Sequence, residues 1–195
     1  MENLSKVYKK FRWFYTSSGK LVVGGKNAEQ NDVLLFLLKH SRKEYVVMHT
    51  AEPGSPFSII VSETSKVTKQ DMEECAIFTG CFSRAWKLGK KQAVVDIFRA
   101  SELQKEKTMK TGTWGVLGKV ERRKVSLALV LTRQEKILRA VPEQTAENKK
   151  NIIFKIIPGK ISKEDILAKI GTEFGSLNKE ELLSALPAGG LKIIK

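Results

Sequence analysis

Between Phe11 and Gly24 apolar and polar residues are set around a short polar stretch, Ser17-Ser18-Gly19-Lys20. Aromatic and β-branched residues flank it, and Gly19 can supply the positive φ of a tight loop, so the pattern predicts a β-hairpin. Along its first strand Phe11, Trp13 and Tyr15 share one face, with Arg12 and Phe14 on the other. From Asn27 to His40 the pattern turns helical. Asn27 is the N-cap, and Gln30 occupies the position of a capping box. The middle of this helix, Val33 to Leu38, is apolar nearly all round, which predicts a helix covered on more than one side.

Tyr45–Thr50 and Phe57–Ser62 have strand composition and are joined by a rigid turn from Ala51 to Pro56. Thr68 then caps a second helix, with Asp71 at the box position. Met72, Cys75, Ala76, Thr79, Phe82 and Trp86 keep helical spacing as far as Gly89. Strand patterns return at Ala93–Phe98, Gly112–Lys119 and Val125–Thr132, around an exposed lysine-rich loop at Lys105–Lys110. Gly112, Gly115 and Gly118 mark bulges or places where another backbone comes close. The polar stretch Arg133–Lys150 reads as a linker. Beyond it lie a strand at Asn151–Ile157, a turn at Pro158-Gly159, a helix capped by Ser162 with Asp165 at the box position and running to Ile170, another capped by Asn178 with Glu181 there, and a last strand after Gly189-Gly190. The fold expected is α+β: a mixed, largely antiparallel sheet with two packed helices over residues 1–132, a polar linker at 133–150 and a small α+β appendage at 151–195.

Charge narrows the class of partner. The chain has 195 residues with 35 Lys and Arg against 21 Asp and Glu, a net charge of +14. Such an excess favours polyanions, because each neutralised phosphate releases condensed counterions. No apolar run approaches the roughly 20 residues of a membrane span, and the N-terminal residues have no signal-peptide pattern. A cytoplasmic protein without a membrane partner is expected. Cys75 and Cys81 are too few for a disulfide framework and read as buried thiols.

The catalytic inventory is thin. His49 ends a strand six residues before Ser55, but a Ser/His pair also needs an orienting acid and an oxyanion hole, and nothing local supplies either. The two histidines and two cysteines offer no zinc cluster. Gly19 and Gly24 have the outer spacing of a P-loop, but Gly25 follows where Lys is required. No metal, cofactor or catalytic residue is assigned. Binding chemistry is richer. Phe11, Trp13 and Tyr15, beside Arg12, are either core or a base-stacking face, and the residues alone leave both open. Lys105, Lys107 and Lys110 form one basic cluster. Lys119, Arg122, Arg123 and Lys124 form another at an expected hairpin tip, and together they suit phosphate tracking. Lys26, Asn27, Gln30 and Asn31 follow Gly24-Gly25 at a helix N-terminus, which favours an anion.

Four blocks in order resemble the NFACT-R domain, the RNA-binding module of the NFACT ribosome-quality-control factors. The first is Arg12-Trp13-Phe14, Thr16-Ser17, Gly19, Gly24-Gly25-Lys26 and Gln30-Asn31. The second is His49 with Pro53-Gly54-Ser55-Pro56-Phe57. The third is Ser83-Arg84-Ala85-Trp86, and the fourth runs from Lys110 through Thr111, Gly112, Thr113, Trp114 and Gly115 to Gly118-Lys119. They span about residues 8 to 132. Lys26 stands where the family often has Arg, which weakens a bidentate contact.

The resemblance implies RNA binding without catalysis in translation or ribosome quality control. The expected partners are tRNA or ribosomal RNA, including the large ribosomal subunit. Lys26, Asn27, Gln30, Asn31, His49, Ser55 and Trp86 would form a pocket or its rim, with Arg12 and Trp13 as further RNA-binding residues. Lys107, Lys110, Arg122 and Arg123 would hold phosphates, and Lys119 is a further RNA-binding residue. The N-terminal domain, helical hairpin and coiled coil of full-length members are not in this sequence, so a standalone form of archaeal or bacterial type is expected. Two alternatives stay open: an RNA-processing or RNA-modifying enzyme using His49, Gln30, Asn31 and Lys26, or a protein-interaction module docked on the ribosome.

Overall fold

The computed structural model describes residues 2–41, 43–146, 148–166 and 178–194. A short helix, α1 (Glu2–Val7), precedes β1 (Arg12–Tyr15) and β2 (Leu21–Gly24). They are followed by α2 (Ala28–Lys39), β3 (Val46–Thr50), β4 (Ser58–Ile60), α3 (Lys69–Cys81), α4 (Arg84–Lys87), β5 (Gln92–Arg99), β6 (Leu103–Gln104), β7 (Gly115–Val116) and β8 (Glu121–Ser126). The chain continues through β9 (Leu129–Gln134), β10 (Ile137–Val141), β11 (Phe154–Ile161), α5 (Lys179–Ala185) and β12 (Leu191–Ile194). The strands form a six-stranded sheet in the order β1-β2-β4-β3-β5-β8, a four-stranded sheet β10-β9-β11-β12 and the small pair β6-β7. Every pairing is antiparallel. The fold is α+β, as the pattern predicts.

Strand alternation sorts the large sheet into two buried faces. Phe14, Val22, Met48, Ile60 and Val95 pack with Cys75, Ala76 and Phe78 of α3. Trp13, Val23, Val47, Ile59 and Phe98 point the other way and pack with Leu34, Leu35 and Leu38 of α2. Each such side chain contributes about 1.5–3 kcal/mol when fully buried, so both helices are held chiefly by the sheet between them. The cluster under α3 continues into Leu129, Leu131, Leu138, Ile156, Leu182 and Leu191. The smaller sheet is thus packed on the larger one through a shared apolar layer.

The hairpin is closed as expected: Arg12 pairs with Gly24 and Tyr15 with Leu21, and Gly19 has φ +80°. Its loop docks on α3. The Thr16 hydroxyl donates to Asp71 at 2.6 Å, and the Ser17 amide and hydroxyl both donate to Glu74. The Thr68–Asp71 capping box also forms.

Several expectations are corrected. The helix from Thr68 to Gly89 is two helices, because Ser83 accepts the Ala85 amide through its hydroxyl and starts α4 as a new N-cap. Its hydroxyl also donates to the Gly80 carbonyl at 2.7 Å, which ends the first. Gly112–Lys119 contains a strand only at Gly115–Val116. Val125–Thr132 is broken at Leu127-Ala128, where the chain leaves the large sheet for the small one. The stretch expected as a linker holds the end of β9 and all of β10. Glu135 and Lys136 take positive φ, 48° and 63°, in a two-residue turn, and Leu138, Ala140 and Val141 are buried behind it. Its polar residues from Arg133 to Arg139 belong to this hairpin, where Gln134, Glu135 and Arg139 contact Tyr15, Tyr8 and Trp13. Pro158-Gly159 lies within β11 at a shift of strand register, not in a turn between elements.

At the C-terminal end, Ser162 accepts the Asp165 amide and Asn178 accepts the amides of Glu180 and Glu181. The expected end of the Ser162 helix at Ile170 lies outside the described residues. Gln30 does not close a box on Asn27. Its side-chain oxygen accepts the Lys26 amide instead, at 3.0 Å.

Candidate nucleic-acid interface

A cleft of about 580 Å³ opens where the N-terminal end of α2 meets the end of β3, the Ala51–Pro56 turn and the loop before β7. Arg12, Lys26, Asn27, Asn31, His49 and Ser55 all line it, with Phe57, Asp96, Phe98 and Trp114. Residues far apart in the chain meet here because β1, β2, β4 and β3 lie side by side, in that order, in the large sheet.

The polar groups at the start of α2 hold the backbone in place. The Asn27 side chain accepts the Gln30 amide at 2.9 Å. Asn31 is buried and accepts the Phe57 amide at 3.0 Å. A Cβ on Gly25 would collide with the Asn31 side-chain oxygen, so only glycine lets the chain pass so close. The opposite wall is fixed by Asp32. It accepts from Trp114 Nε1 at 2.7 Å and from Lys105 Nζ at 3.2 Å. Lys105 also donates to the carbonyls of Lys110 and Thr113. Burial opposes the Asp32 charge, but hydrogen bonds from Trp114, the Gly112 amide and Lys105 outweigh it and hold the carboxyl below its usual range.

His49 stacks on Phe57 with ring centroids 4.5 Å apart. Its Nδ1 lies 2.7 Å from the Thr50 carbonyl. A carbonyl only accepts, so Nδ1 carries the proton. Burial lowers the His49 pKa, against the opposing pull of that carbonyl and of Asp96. At neutral pH the ring is therefore neutral, and Nε2 is left as an acceptor. Ser55 accepts the Thr50 amide and donates to the Pro56 carbonyl. Both groups are engaged with main chain, and no hydrogen bond joins them.

Two cations on the cleft are without carboxylate partners among the described residues. Arg12 lies over the Phe82 ring at 4.7 Å, and burial lowers its pKa. Lys26 is also lowered, first by burial and then by the positive charges of Arg12 and Arg139. Desolvated, mutually repelling cations are stabilised by an incoming anion.

The remaining expected site residues are elsewhere. Trp13 is 1% exposed, with its face covered by Arg139, and Trp86 is 0% exposed, donating through Nε1 to the Gly190 carbonyl. Neither can stack a base, so the aromatic face of β1 is core. Gln30 lies at the edge of the helix start but does not line the cleft. Lys119, Arg122 and Arg123 are not at a hairpin tip, since Glu121–Ser126 is the edge strand of the large sheet. There Arg122 pairs with Asp96, and Arg123 with Glu73 and Glu121. Lys107 and Lys110 are exposed on the loop beside the cleft. Phe57, Trp114, Asp32 and Lys105 complete the site. Trp114 lies in one of the sequence blocks quoted above, whereas Asp32 carries no signal until its partners are placed.

Comparison with known proteins places residues 10–118 on the family model described as the NFACT protein RNA binding domain. The archaeal Rqc2 homolog aRqcH of Methanocaldococcus jannaschii is 28% identical over 214 residues, covering 97% of this chain and 30% of that protein. The ribosome quality control complex subunit NEMF homolog of Drosophila melanogaster is 27% identical over 112 residues, covering 57% of this chain and 11% of its own length. The chain thus spans less than a third of either relative. Among solved structures, the C-terminal part of the fibronectin/fibrinogen-binding protein from Streptococcus suis has the same fold, with a TM-score of 0.53 and 20% identity over 65% of this chain and 47% of that one.

Proposed function

The chain belongs to the NFACT RNA-binding domain family, and from that premise we propose that it binds structured RNA, tRNA or ribosomal RNA, in a cytoplasmic ribosome-quality-control setting and performs no chemistry itself. The observation that carries this is the pairing, in one cleft, of two unpaired cations with a neutral imidazole. Arg12 and Lys26 suit phosphate oxygens, whereas His49 offers an acceptor to a hydroxyl or amino group. The net charge of +14 adds a long-range pull on any polyanion. The setting is inferred from relatives named for ribosome quality control. The main-chain engagement of His49 and Ser55 gives no support to an RNA-processing enzyme.

The test is fluorescence anisotropy of labelled tRNA and of an rRNA helix over a salt series. Affinity should fall linearly in log–log form, by orders of magnitude between about 50 and 200 mM salt if several phosphates are held. Lys26→Gln should reduce the slope by about one. Affinity that does not change with salt would overturn the proposal.

A further inference from the structure

Beside the cleft, Arg12 and Lys26 meet Arg139 of β10 around a crevice of about 10 Å³, room for a single water, so an anion held by all three sits at its rim and not inside it. We propose that these three side chains form a seat for one phosphate group, and that in the RNA-bound protein a phosphodiester of the strand occupies it. The inference rests on the RNA reading for the source of the phosphate and not for the seat.

Both guanidinium groups lie over aromatic rings. Arg12 lies over Phe82 at 4.7 Å and Arg139 over Trp13 at 4.4 Å. The planar guanidinium presents its N–H groups as a fork that fits two oxygens of one phosphate. The Nε atoms of Arg12 and Arg139 are buried and have no hydrogen-bond partner among the described residues. Buried donors are rarely left unbonded, because the loss of water is then uncompensated.

Charge leads to the same place. Arg12, Lys26 and Arg139 form no ion pair among the described residues, though each is desolvated. Glu181 attracts Arg139, but its carboxylate already accepts the Leu138 amide at 2.6 Å and lies 3.4 Å from Arg133. Lys163 adds further positive field near Arg12, and its ammonium donates to the carbonyls of Leu183 and Leu186. An anion would supply both the missing acceptors and the missing charge. Arg12 and Lys26 line both cavities, so the seat adjoins the cleft. Arg139 falls outside residues 10–118, which makes the smaller sheet part of the binding surface.

Two measurements on the full chain test this. Thermal unfolding in potassium phosphate should show a saturable gain in Tm over potassium chloride of equal ionic strength, and Arg139→Gln should abolish it. An equal gain in wild type and variant overturns the seat. Anisotropy with tRNA should show about tenfold weaker binding for Arg139→Gln and a salt slope lower by about one. Arg139→Lys should keep the slope and regain only part of the affinity, because it keeps charge and loses the fork. Arg139→Met, which retains packing over Trp13, should match Arg139→Gln. If the phosphate effect is present but Arg139 variants bind RNA like wild type, the seat takes free phosphate and the diester assignment fails. If no RNA binds wild type while the phosphate effect holds, the RNA reading fails and the anion seat stands.

Discussion

The side-chain oxygen of Asn31 accepts the Phe57 amide at 3.0 Å, joining the first turns of α2 to the entry of β4 across the cleft. The same oxygen is the atom that a Cβ on Gly25 would strike. Asn31→Ala leaves a buried amide unbonded and should cost about 1–3 kcal/mol. Gly25→Ala must push the helix start away from β4. Urea unfolding should find both variants destabilised, with Gly25→Ala also losing RNA affinity.

Asp32 holds the loop before β7 through Trp114 and Lys105. Gly112 sits in that loop with φ +75°, and a Cβ there would be 2.7 Å from Ala28 Cβ. Asp32→Ala should release the loop while leaving the sheets intact. Amide exchange at residues 105–114 should speed up far more than exchange in β3 or β5. Uniform acceleration across the chain would count against a local latch.

Asp71 gives the hairpin loop a pH-dependent anchor. It is buried, and burial opposes its charge, yet hydrogen bonds from Ser18, Thr16 and Thr68 hold its pKa well below the usual carboxylate range. Between the folded and unfolded pKa values the unfolded chain binds more protons, so stability rises with pH there. The contribution is full above about pH 4 and is lost as pH falls toward the folded value. Asp71→Asn should flatten this part of the Tm-against-pH curve and cost about 1.5–3 kcal/mol at neutral pH.

His49 titrates with the opposite charge change but the same sign of slope. Its folded pKa is lowered by burial, so the unfolded chain takes up a proton first, near its ordinary value of about 6.5. Stability from this group is present above that pH and lost as pH falls from there through the lower folded value. His49→Gln should remove the dependence. Long-range nitrogen–proton NMR at neutral pH should find the proton on Nδ1, and a proton on Nε2 would contradict the Thr50 hydrogen bond.

Local chemistry in the sequence determined what local chemistry can decide. The Ser17–Lys20 loop, the Asn27 and Thr68 caps and the alternation of β1 are set by neighbours within a few residues, and each is in place. So is the α+β class. The break at Ser83 was hidden because apolar spacing continues through it from Cys75 to Trp86. The hairpin at Glu135-Lys136 was hidden because a polar turn flanked by polar residues looks like a linker until Leu138 and Val141 find a core. Long-range packing alone decided the fate of the aromatics. Trp13 and Trp86 are core because α2, the small sheet and the Gly190 segment cover them, and no spacing in β1 or α4 records which face will be covered. The meeting of Arg139 with Arg12 and Lys26 is of the same kind: it exists only once the second sheet is packed on the first.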